Sequence, residues 1–176
     1  SDCDRQYVAS WIIDRRLLAA LSFLSEKGYS LLITSLYCGR EASITTSGNI
    51  SNHSTASAAD IAAINGEVVT PATQGPGSLT DSIARQLLTL QGIMAPDEVI
   101  SLLDYPQPAG FAMGDHGDHL HLGFGAAGDG EVPAGTLQAT LGAAQWQRLT
   151  ERLGEIQNPE VPGSPSDDAL PAERSD

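Results

Sequence analysis

Four histidines occupy two places in this chain of 176 residues: His53 stands alone, and His116, His119 and His121 fall within six residues, each place with carboxylates close by. A catalytic zinc site takes three protein ligands from His, Asp, Glu or Cys and leaves a fourth position open. His53, Asp60 and His121 can supply that set. Imidazole and carboxylate without thiolate suit a hydrolytic zinc centre, although ligand type alone leaves manganese and iron open. A histidine by itself is more often a local hydrogen-bonding group than a ligand, so it is the whole set that favours a metal. Cys3 and Cys38 lie outside any Cys-x-x-Cys pattern, which argues against a zinc ribbon or a thioredoxin-like redox site.

Positioning these groups requires strands. Residues i and i+2 of a strand share a face, so a strand over residues 118–124 turns His119 and His121 the same way while Leu120 and Leu122 enter the core. Upstream, Asn65-Gly66 between two apolar runs signals a type I′ hairpin and places Asp60 on its first strand. A run of Ser, Thr and Ala separates His53 from Asp60 and is small enough for the loop to fold closely over that strand.

Around this centre the pattern predicts a helix over residues 4–27, capped by Asp4 and stopped by Gly28, with Val8, Trp11, Ile12, Leu18, Leu21 and Leu24 near one face. A buried strand over 30–37 and a long polar loop over 38–52 follow. Thr80 is the expected cap of a helix over 81–91, residues 98–105 read as a strand, and residues 143–156 have helical spacing. Trp11 and Trp146 are expected in the core. Cys3 precedes the opening helix and Cys38 ends the strand expected beneath it; a disulfide joining them and two free thiols both remain open. The reading is one α+β domain over 1–156 and a disordered acidic, proline-rich tail over 157–176.

The formal charge of −13, from 22 acidic and 9 basic residues, argues against nucleic acid or anionic lipid as partner. No run approaches the roughly 18 apolar residues a membrane span needs, and the N-terminus lacks the layout of a signal peptide. The expectation is a mature chain, or a domain cut from a longer one.

At the histidines the chain resembles the group that joins lysostaphin-type endopeptidases, D-alanyl-D-alanine carboxypeptidases and the hedgehog signalling domain. The group's pattern Ser-x-His-x-x-Gly-x-Ala-x-Asp is matched by Ser51, His53, Ala58 and Asp60, with Ala56 in place of the glycine, and its closing His-x-His by His119 and His121. The zinc D-alanyl-D-alanine carboxypeptidases extend the closing motif to His-x-x-His-x-His, matched by His116, His119 and His121. The resemblance covers roughly residues 30–124. It implies a small antiparallel sheet carrying one Zn2+ on His53, Asp60 and His121, flanked by helices, and a peptidase acting on D-alanyl bonds of peptidoglycan stem peptides in an extracellular or wall-associated setting.

By the same resemblance His119 and His116 carry protons or stabilise an oxyanion. Asp118, three residues before His121, is the alternative base, ranked behind His119 because strand parity turns it away. Arg40 and Ser51 are the candidates for holding substrate. Two other readings stay open: a zinc-stabilised binding domain without turnover, and a metal-free structural domain of a larger surface or phage-borne protein.

Overall fold

The computed structural model describes residues 1–40, 44 and 50–125. The expected helix over 143–156, Trp146, the tail and most of the Gly-rich loop after Phe124 lie outside the described residues.

The chain opens with two helices, not one: α1 spans Asp2–Ala9 and α2 spans Arg15–Glu26. The break has a local cause. Asp14 caps α2, its carboxylate accepting the Arg16 N–H at 2.7 Å, and Trp11 stands in the left-handed region at φ 60°. Asp4, expected as a cap, lies inside α1 and turns its carboxylate inward to accept the N–H groups of Tyr37 at 3.2 Å and Cys38 at 3.0 Å. Trp11 is 49 % exposed and leaves the core to Ile13, Leu17, Leu18, Ala20 and Leu24. Splitting the helix rotates its second half, so the apolar stripe continues from Ile13 instead of Trp11. Gly28 at φ 92° does end α2, where glycine meets no Cβ penalty.

Six strands form one sheet in the order β1-β2-β6-β4-β5, with β3 also paired to β2. They are β1 Leu31–Ser35, β2 Ala58–Ile64, β3 Glu67–Val68, β4 Glu98–Ser101, β5 Gly110–Ala112 and β6 Leu120–Gly123. The α+β class is as expected, but the sheet is mixed: β5 runs parallel to β4, its residues Gly110, Phe111 and Ala112 pairing Val99, Ile100 and Ser101. β5 arises in a stretch whose prolines and glycines read as a separator. β1 sits at the sheet edge and is half-buried throughout instead of buried. The hairpin between β2 and β3 turns on Asn65 at φ 52° and Gly66 at φ 83°, the two positive φ values of a type I′ turn.

Helix α3 spans Leu79–Leu87 and is capped by Ser78, whose hydroxyl accepts the Asp81 N–H; Thr80, the expected cap, is buried in the first turn, two residues past it. Both Ser78 and Thr80 satisfy the chemistry of a cap, and the chain uses the earlier one. Ile83, Ala84 and Leu87 of α3 join Leu17, Ala20 and Leu24 of α2 against Ala59, Ile61, Val99, Leu120 and Leu122 of the sheet. Because side chains alternate along a strand, this apolar packing leaves Asp60 and His121 on the opposite face. Burial of each such Leu or Ile stabilises by roughly 1.5–3 kcal/mol, which holds β2 and β6 in register.

Candidate metal centre

Asp60 and His121 are direct cross-strand partners in the β2–β6 ladder, and His121 in turn faces Ile100 of β4. Side chains opposite each other in an antiparallel pair stand about 5 Å apart at Cβ, close enough for a carboxylate to meet an imidazole. Here the His121 Nδ1 lies 3.0 Å from Asp60 Oδ1. The sheet alone therefore delivers two of the three groups.

His53 comes from a turn. The chain between Asn52 and Ser57 is closed by backbone bonds from Ser54 N to Ser51 O, Ala56 N to His53 O and Ser57 N to Asn52 O, between 2.9 and 3.0 Å. Ser51, buried, accepts the His53 N–H on its hydroxyl at 3.2 Å. Ala56 stands at φ 55°, a conformation that glycine adopts without cost and that strains a residue with a Cβ. The turn docks on the helical layer as Asp14 N–H donates to Ala56 O at 2.8 Å. In consequence the His53 ring is fully buried, with Nδ1 2.5 Å from the Leu36 carbonyl and Nε2 3.1 Å from Asp60 Oδ1.

His53, Asp60 and His121 thus place one ligand atom each within 4.8 Å of the others, and this buried group can hold a metal ion. The donor set fits one. Leu36 O can only accept, so the proton of neutral His53 resides on Nδ1, and Nε2 presents a lone pair toward a carboxylate oxygen 3.1 Å away. Two facing lone pairs repel unless a proton or a cation lies between them.

Burial alone would raise the Asp60 pKa, but the imidazoles of His53, His119 and His121 outweigh it and hold the carboxyl well below its ordinary range. For His121 burial works downward, and its contacts with Asp60 and Glu98 raise the imidazolium to about 9. Both shifts describe a centre that keeps positive charge beside Asp60.

The remaining expected residues converge here too. His119 lies just before β6, its Nε2 3.6 Å from Asp60 Oδ1 and its Nδ1 2.7 Å from Asp118. That Nε2 is buried and has no hydrogen-bond partner. Asp118 lies in the bend before β6, outside the strand, with its carboxylate on His119. His116 packs its ring 4.6 Å from that of His119 and sets Nδ1 2.8 Å from Asp115. Burial, followed by the neighbouring His119, pushes the His116 pKa down. Arg40 brings a guanidinium nitrogen to 3.9 Å from Asp60 Oδ2.

Three contributors escaped the sequence reading. Glu98, at the start of β4, sits 3.3 Å from His121 Nε2. Asp115 orients His116 and is adjacent to it in sequence, the one signal available. Gln74, buried, donates to the carbonyls of His116 at 2.7 Å and Gly117 at 3.0 Å while accepting the Leu102 N–H at 2.9 Å. It braces the histidine loop from a segment that reads only as Pro- and Gly-rich. Cys3 and Cys38 form a disulfide that ties α1 to the end of β1, two residues past the carbonyl that holds His53.

No family model matches the chain, and no curated protein or solved structure matches it either. Among the described residues no helix is long and apolar enough to cross a membrane.

Proposed function

We propose that this chain is a zinc-dependent peptidase that hydrolyses D-alanyl amide bonds in peptidoglycan stem peptides. The observation that supports a metal best is the His53 clamp: a ring whose Nδ1 is committed to Leu36 O and whose Nε2 faces Asp60 and His121. The D-alanyl substrate rests on the resemblance of the two histidine motifs.

His53 Nε2, Asp60 Oδ1 and His121 Nδ1 would hold the zinc, which supplies Lewis acidity to a scissile carbonyl and to a water nucleophile. The chain's own groups handle the proton. His119, with Nδ1 on Asp118, keeps its partnerless Nε2 on the ligand side and accepts the proton of the attacking water. His116 is pushed toward its neutral form, and its ring lies against that of His119 beside the developing oxyanion. Arg40, beside Asp60, is suited to pair with a substrate carboxylate in a bidentate fashion. Ser51, buried, supports the turn by accepting the His53 N–H on its hydroxyl. The disulfide fits an extracellular or wall-associated setting, where such bonds persist.

The test is metal content followed by turnover. Protein purified without chelator should carry one zinc per chain and release D-alanine, or open crosslinks, from a D-alanyl-D-alanine peptide or purified peptidoglycan. Absence of stoichiometric metal that cannot be restored by reloading would end the metal reading. Zinc-loaded protein that cuts neither substrate would replace the enzyme with a zinc-stabilised binding domain.

A further inference from the structure

His121 uses one ring nitrogen on Asp60; the other, Nε2, is buried and lacks a well-aligned hydrogen bond. The nearest acceptor is Glu98 Oε2 at 3.3 Å, close in distance but bent in direction. Three features hold that carboxylate in place. Glu98 belongs to β4, which pairs with β6, and it stands opposite Gly123, two residues beyond His121 on the same face. Asn52 Nδ2 donates to the same Oε2 at 2.8 Å. Gly123 leaves the space open: a Cβ there would lie 2.8 Å from Asn52 Nδ2, 2.9 Å from Glu98 Oε2 and 3.0 Å from His121 Nε2. Three segments distant in sequence therefore meet at one oxygen, and a glycine makes the room.

We infer that Glu98 is the positioning residue of the metal centre: it receives the His121 Nε2–H, fixing the tautomer in which Nδ1 offers its lone pair to the cation. The inference rests on the metal reading above. A cation held at Nδ1 leaves the ring its one proton on Nε2, which lies 3.3 Å from Glu98 Oε2. Carboxylates that orient ligating imidazoles in this way raise ligand basicity, and losing one typically weakens metal binding about 10- to 100-fold. The Glu98 side chain is 36 % exposed, so solvent screens the pair and the lower end of that range is expected. Asn52 adds a link between ligands, because it precedes His53 and its carbonyl also accepts the Ser57 N–H and hydroxyl.

The experiment compares wild type, Glu98→Gln and Glu98→Ala by zinc affinity in chelator competition and by the His121 Nε2–H proton resonance in zinc-loaded protein. Glu98→Ala should weaken zinc about 10-fold and move that resonance upfield. Glu98→Gln, which keeps an acceptor oxygen but loses the charge, should fall between it and wild type. Melting of the metal-free variants should fall only modestly, since the Glu98 side chain is 36 % exposed and no core contact is removed. A Glu98→Ala protein with wild-type zinc affinity and an unmoved resonance overturns the inference while leaving the metal site intact. Wild type that takes up no zinc overturns both.

Discussion

The two halves of the candidate centre are built differently. Asp60 and His121 are neighbours in a ladder that the apolar packing of Ala59, Ile61, Leu120 and Leu122 keeps in register. His53 hangs on a turn held by a few hydrogen bonds, one strained residue and a carbonyl of the β1 end. A one-residue slip of either strand would turn its ligand into the core and part the pair, so that half is present or absent as a unit. The turn half can shift without unfolding the sheet. Perturbations should therefore separate into those that abolish the site and those that loosen it.

The largest effect should come from the sheet half: His121→Ala removes a ligand and opens a buried gap beside Asp60, and zinc content should fall from one per chain to near zero. Retention of stoichiometric zinc would show that the ligand set is wrong. Next, His119→Ala leaves all three ligands in place and should slow D-alanyl hydrolysis on the order of 100- to 1000-fold with little change in zinc affinity. Asp118→Asn should act through His119, lowering turnover less than His119→Ala does. If it proves the more damaging of the two, Asp118 is the base.

On the turn half, removing the disulfide by Cys3→Ser with Cys38→Ser should lower stability by about 3–4 kcal/mol in the chain-entropy model for the loop of 35 residues. Zinc affinity should fall as well, because Leu36 O and Arg40 flank Cys38, and chemical denaturation with and without saturating zinc separates the two losses. Intact mass after alkylation without reductant should show no alkylated thiol.

Proton linkage perturbs the sheet half more gently. His121 is raised from 6.5 to about 9 in the metal-free protein, so the stability it contributes is fully present below pH 6.5 and is lost as pH rises through about 9. Asp60, held low, acts oppositely: its contribution is present above 3.8 and disappears as pH falls through its depressed folded value. Zinc must displace the His121 proton, so the rise in melting temperature caused by zinc should grow from pH 6.5 toward pH 9. A shift independent of pH would mean that His121 is not a ligand.

The smallest effect should be that of Ala56→Gly. Relief of the positive φ favours glycine by roughly 1–2 kcal/mol, whereas added chain entropy and loss of a buried methyl oppose it by about 0.5–1 and 0.8 kcal/mol. These terms nearly cancel, so melting should change little and zinc binding not at all. A large loss in either would give Ala56 a role that its backbone does not explain.

Local rules of the chain determined a good part of this protein. Alternation along residues 120–123 set His121 against a core of Leu120 and Leu122, Asn65-Gly66 made the hairpin that carries Asp60, and ligand-forming residue types were all present. Each follows from the covalent period of a strand or the sterics of two turn residues, which need no distant partner.

Tertiary structure decided the rest. The break between α1 and α2 puts Asp4 against Tyr37 and Cys38 and Asp14 against Ala56, pairings that no local period encodes. The parallel β5, the Gln74 brace, the Leu36 clamp on His53 and the approach of Glu98 to His121 all join groups 11 or more residues apart. Their partners are chosen by which surfaces the core brings together, so a carboxylate such as Glu98 carries no sign in its own sequence neighbourhood of the imidazole it meets.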